Sequence, residues 1–120
     1  ELKYCNAGHN APLIIEPDGS VVLMNVIPNL PLGLFSGFPF EGQTTKIDNQ
    51  EMLYMFTDGV NEAENIDKEI FGDEKLIALL QHNSSLDPGG LIDATFAAVK
   101  SYACGAEQTD DITVMCIKYC

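Results

Sequence analysis

The chain has no arginine and no tryptophan, and its six basic residues, all lysines, face eighteen acids for a net charge of -12. The missing guanidinium removes the usual bidentate clamp on phosphate. The acidic balance repels nucleic acid and anionic lipid, so neither nucleic acid nor a membrane is expected as a partner of this segment. No apolar run approaches the ~18 residues of a membrane span. Four cysteines (Cys5, Cys104, Cys116, Cys120) lack metal-site spacing, and the chain opens without a secretory leader, so free thiols in the cytoplasm are expected. On the same grounds Asn83-Ser84-Ser85 is not read as a glycosylation site. With no arginine six residues after a cysteine, no GxSxG elbow and no GxxxxGK cradle, nucleophilic catalysis by cysteine or serine has no support.

What remains is an ordinary globular composition, 46% hydrophobic and 20% charged, without low-complexity tracts. A chain of this length folding alone buries roughly two-thirds of its unfolded surface, which predicts a sizeable core. It starts at Glu1 with the strand-like "LKYC", which suggests a segment of a longer domain.

Leu2–Cys5, Pro12–Glu16 and Val21–Asn25 read as strands, the last two joined by the Pro17-Asp18-Gly19-Ser20 turn into a hairpin. Val26 to Gly42, punctuated by proline and glycine, reads as a loop, and Thr44–Ile47 as a short strand. Met52–Phe56 is apolar at every position, as a strand covered on both faces would be. Asp73–Gln81 predicts a helix with Leu76, Ile77, Leu79 and Leu80 as its stripe. Asp87 and Pro88 supply an N-cap and first turn for a second helix whose stripe is Ile92, Phe96, Val99 and Ala103. Ile112–Tyr119 is a final strand. This order predicts an α+β fold with a largely antiparallel sheet and helices packed on a face.

The acids around the central strand carry the chemistry. Asp58 follows the end of Met52–Phe56, and Asp110 and Asp111 precede the last strand. If these strands pair antiparallel, the acids share one sheet edge; if parallel, they lie roughly 17 to 20 Å apart. Two carboxylates ~4 Å apart repel by about 1 kcal/mol in water and up to ~4 near a protein surface. No lysine lies near Asp58 in sequence, so either one acid takes a proton or a cation binds. Oxygen-only ligands suit magnesium, manganese or calcium. An EF-hand running from Asp58 to Glu69 fails internally, with Val60 in a ligand position and Ala63 where the turn glycine belongs.

"YCNAGHNAPLI" (4 to 14), "LPLGL" (30 to 34), "YMFTDGVNEAEN" (54 to 65), "FGDEKL" (71 to 76) and "TDDIT" (109 to 113) occur in the order and spacing of one family. The chain resembles, over nearly its whole length, the bacterial SpoIIE/RsbU-type phosphatases, which belong to the metal-dependent PP2C-like (PPM) serine/threonine phosphatases. The resemblance implies an αββα sandwich around two Mn²⁺ or Mg²⁺ ions, with residues 1–120 as its C-terminal portion. It makes Asp58 and Asp110 the catalytic metal ligands, places Asp111 outside the ligand set, and gives Thr57 and Gly59 the shaping of the turn. The family's bridging aspartate comes from an upstream Gly-Asp motif, before the point where this chain starts, so the segment alone is expected to be inactive. Asn49-Gln50-Glu51 replaces the family's usual Pro-Gly-Asp turn, and Ala11 stands where a second proline is common.

The implied substrate is a phosphorylated anti-anti-sigma (STAS) protein in bacterial partner switching. The alternative is a catalytically inactive pseudophosphatase acting as a regulatory binding module. Homodimer formation over an open sheet edge is a further expectation. Each residue also has a blander role open to it. Asp58 could cap its own turn, and Asp110 with Asp111 could be a polar pair before a strand. His9 could be a catalytic acid but reads better as a structural residue of "NAGHN". His82 suits a helix C-terminus, and Glu62, Glu64, Asp67 and Glu69 suit a solvated face.

Overall fold

The computed structural model describes residues 1–120. Its elements run β1 (Leu2–Tyr4), β2 (Leu13–Ile15), β3 (Val21–Leu23), β4 (Gln43–Thr45), β5 (Met52–Phe56), α1 (Asp58–Asn61), α2 (Asp73–His82), α3 (Pro88–Ala103) and β6 (Val114–Lys118). β3, β2, β5 and β6 form a four-stranded antiparallel sheet in that order, and β1 pairs with β4 in a two-stranded one. The fold is α+β with antiparallel sheets.

β5 is central because its side chains suit burial on both faces. Met52, Tyr54 and Phe56 join Leu13 and Ile15 against Leu76 and Leu80 of α2 and Leu91 and Val99 of α3. The opposite face, Leu53 with Ile14 and Met24, packs on Leu2 and Tyr4 of β1. The order of layers is therefore helices, four-stranded sheet, two-stranded sheet. β6 is an edge strand: Val114 and Cys116 face the helical core, while Met115, Ile117 and Tyr119 are exposed.

Several sequence expectations change at the element ends. β4 is centred nearer Gln43 than Thr44–Ile47 suggested, and β6 spans Val114–Lys118, because the residues before it are used in holding the turn described below. The buried stripe of α3 is Leu91, Thr95 and Val99; of the expected Ile92, Phe96, Val99 and Ala103 it shares Val99 alone, and Phe96 is exposed. A polar threonine occupies the helix–sheet contact because Thr95 Oγ1 donates to Leu91 O at 2.8 Å and so accepts the Tyr54 hydroxyl at 2.7 Å. The Asp87 N-cap forms as expected, its carboxylate accepting Gly90 N–H at 2.8 Å. The core comprises 17 buried residues of 120.

Candidate functional site

β5 and β6 pair antiparallel from Met52↔Lys118 to Phe56↔Val114, so the residues after Phe56 and those before Val114 meet at one end of the sheet. The ladder continues one step further, with Thr57 N–H donating to Thr113 O at 3.0 Å. The Thr57 side chain then fastens the two strand ends. Its Oγ1 donates to Asp111 O at 3.0 Å and accepts Thr113 N–H at 2.9 Å. Thr57 is thus the N-terminal flank of α1 and the clasp between the two acidic turns.

Gly59 permits this closeness. It is buried, and a Cβ at its position would lie 2.2 Å from Asp111 O and 2.7 Å from the carbonyl carbon. Any side chain there would push the segment before β6 away from α1. The interior of the rejected EF-hand loop is core instead: Val60 and Ala63 are both buried.

Asp58 stands at the start of α1, exposed, and caps no backbone N–H of its own turn. Its Oδ1 accepts Asn10 Nδ2 at 2.7 Å, from a residue 48 positions away. The turn-capping role is therefore not the one it plays. No lysine is paired with it: the ion pairs are Lys3–Glu1, Lys46–Asp48 and Lys68–Glu64. Asp110 is also exposed, in the segment before β6, and its Oδ1 accepts Asp111 N–H at 2.8 Å. Asp111 contributes its backbone carbonyl to the Thr57 clasp. Strand pairing brings the two acidic turns to the same sheet end, and no hydrogen bond joins the carboxylates of Asp58 and Asp110.

Asn10, and not its neighbour His9, makes the contact with Asp58. The His9 ring is exposed and Nδ1 lies 2.9 Å from Asn10 O. The turn itself is made by Asn6, whose Oδ1 accepts Gly8 and His9 N–H and whose Nδ2 donates to His9 O. The only signal for Asn10 was its place in the quoted motif, since its partner is distant in sequence.

Two depressions flank the clasp. One, of about 870 Å³, lies between α3 and the segment before β6, with Gly59, Phe96, Lys100, Gln108 and Asp111 in its lining. The other, of about 320 Å³, is bounded by Asn10, Phe56, Asn61 and Asp73. Asn61 donates to Asp73 Oδ1 at 2.9 Å, and its own Oδ1 is buried without a partner.

The acidic pair tests a divalent cation in two ways. The donors of Asp58 and Asp110 are carboxylate oxygens, which suit magnesium or manganese better than zinc. No group of three His, Cys, Asp or Glu side chains comes together in residues 1–120. No helix is long and apolar enough to cross a membrane, and all four cysteines are free.

The family model for Stage II sporulation protein E (SpoIIE) matches residues 1–119. Protein IcfG of Synechocystis is 32% identical over 117 residues, covering 97% of this chain and 18% of that protein. The Mn-presoaked phosphatase domain of SpoIIE from Bacillus subtilis superposes with a TM-score of 0.71 at 18% identity, over 98% of this chain and 50% of that one. The RsbU and RsbW domains of Rv1364c from Mycobacterium tuberculosis give 0.76 at 24% identity, over 98% and 33%. At these identities the two structures establish a shared fold. The chain spans less than a fifth of the Synechocystis protein and a third to a half of the solved chains.

Proposed function

The chain belongs to the SpoIIE family, whose solved relatives are PP2C phosphatase domains, and on that premise we propose that it is the C-terminal part of a metal-dependent phosphoserine/phosphothreonine protein phosphatase domain. The observation that carries this reading is Asp58. It is exposed at the end of the central strand, unpaired with any base, and turned by Asn10 instead of capping its own loop.

In this reading Asp58 and Asp110 hold Mn²⁺ or Mg²⁺, with further ligands from outside residues 1–120. A two-metal centre supplies an activated water and offsets charge on a phosphoryl group during in-line displacement. The chain's own residues do the rest of the local work. Asn10 fixes one oxygen of Asp58 and leaves the second for the cation. Thr57 and Gly59 hold the Asp110 segment against α1. Residues 1–120 contain no arginine and so offer the phosphate no guanidinium of their own.

The substrate we propose is a phosphorylated STAS-type anti-anti-sigma protein, supported by the resemblance to RsbU-type domains. A pseudophosphatase that binds a partner without chemistry is the second reading, favoured by the lack of a three-ligand cluster in this segment. The deciding experiment takes the full-length protein with Mn²⁺ or Mg²⁺, p-nitrophenyl phosphate and a phosphoserine STAS protein. Metal-dependent release of phosphate that falls to background in Asp58→Asn, with the fold retained by circular dichroism, supports the enzyme. No hydrolysis of either substrate by the wild type supports the binding module.

A further inference from the structure

Between Asp18 and Glu41 no side chain is charged, in a chain where 20% of residues are. Within that stretch Leu32, Leu34 and Phe35 are 75%, 60% and 67% exposed. They are presented by a loop closed on itself. Asn29 accepts Glu41 N–H at 2.9 Å and donates to Glu41 O at 3.2 Å, and the Phe38 and Phe40 rings meet edge to face at 4.9 Å. Gly33 and Gly37 turn the chain with φ of +85° and +71° and have open space around them. The loop is continuous with the candidate site: a Cβ on Gly8 would meet Pro31 Cγ at 2.7 Å, and Asn10, two residues on, holds Asp58.

We propose that this apolar loop is the docking platform for the phosphoprotein substrate, gripping an uncharged patch of that partner beside its phosphorylated residue. The inference rests on the phosphatase reading of Asp58. A phosphorylated residue brings a charge of about -1.5 to -2, and a chain at -12 opposes its approach. An uncharged surface beside the acids holds such a partner by apolar contact without adding to the repulsion. A second copy of this chain would bring its own -12 to the same interface. The loop's backbone is tied at its base to itself, so it presents side chains and not an open strand edge.

The test compares full-length wild type with Leu34→Ser/Phe35→Ser, using a phosphoserine STAS protein and p-nitrophenyl phosphate as probes. The expected result is a KM for the phosphoprotein raised about tenfold or more, with kcat and p-nitrophenyl phosphate hydrolysis unchanged. Biosensor affinity for the phosphoprotein should fall by the same factor. An unchanged KM and affinity overturn the proposal. So does a parallel loss of p-nitrophenyl phosphate hydrolysis and melting temperature, which would assign the loop to the fold. A change of sedimenting mass in the variant would assign it to a second copy and likewise overturn the proposal. If the wild type hydrolyses neither probe, the phosphatase reading fails separately. The biosensor arm then still decides docking: lost affinity in the variant supports it, and unchanged affinity overturns it.

Discussion

One oxygen of Asp58 is occupied by Asn10 and the other has no protein partner, so the carboxylate is oriented without being neutralised. Removing that hold should loosen a bound cation more than it loosens the fold. Asn10→Ala in the full-length protein is expected to weaken Mn²⁺ binding by about 10- to 100-fold, measured by isothermal titration, with little change in melting temperature. Asp58 was legible in the sequence because a strand of unbroken apolar residues ended on an acid with no base nearby. Asn10 was not, because nothing local marks a side chain whose partner lies 48 positions away. His9 drew attention by being one of two histidines, yet the polar work of that turn falls to Asn6. Rarity of a residue type is a poor guide to which neighbour makes the hydrogen bonds.

β5, β6 and α3 form the frame that sets the two acidic turns, and one buried polar chain, Tyr54 O–H to Thr95 Oγ1 to Leu91 O, joins β5 to α3. Thr95→Val keeps the shape and strands the Tyr54 hydroxyl. The expected cost is about 1–3 kcal/mol in urea unfolding, with Tyr54→Phe in the Thr95→Val background recovering part of it. Periodicity located α3 and its Asp87 cap, but assigned its buried face one residue off. Phe96 looked like core and Thr95 did not, because the hydroxyl's partner is on another element. The short helix α1 was invisible for a similar reason, being fixed by the Gly59 approach to Asp111 and not by any repeat of its own.

Burial also pushes up two acids on these strands: Cys116 from 9.0 to about 11, and Tyr54 from 10.0 to about 12 against the opposing Thr95 hydrogen bond. Both are neutral groups that the unfolded chain ionises first. Their contribution to stability is full below pH ~9 and is lost as pH rises from there through ~12. A pH series of urea midpoints should decline over that window. At pH 7.5 Cys116 should react with a thiol reagent more slowly than the exposed Cys5, Cys104 and Cys120.

Residues 1–120 as a whole expose 7456 Å², against about 6,400 Å² for a compact monomer of that mass. The excess accords with a segment that spans a third to a half of the solved chains it matches. Exposed Met115, Ile117 and Tyr119 on edge strand β6 are part of it. Composition announced a globular chain but gave no view of this, because hydrophobic content does not say how much of it finds cover. Net charge was legible at this scale and has a consequence of its own. With -12 distributed over few bases, self-repulsion opposes the folded state. Raising monovalent salt from about 0.01 to 0.5 M, which shortens the Debye length from about 30 Å to under 8 Å, should raise the melting temperature of the 120-residue chain. A fall would mean that its ion pairs outweigh its repulsion.

We propose that two aspartates on paired strand ends, Asp58 and Asp110, share in holding one cation centre. Mn²⁺ affinity of the full-length protein, measured for wild type, Asp58→Asn, Asp110→Asn and the double variant, tests it most directly. Each single change should lower affinity by at least about 100-fold, and the double should cost less than the sum of the singles because both act on the same centre. Affinity unchanged in either single variant would mean that the two aspartates do not share a cation.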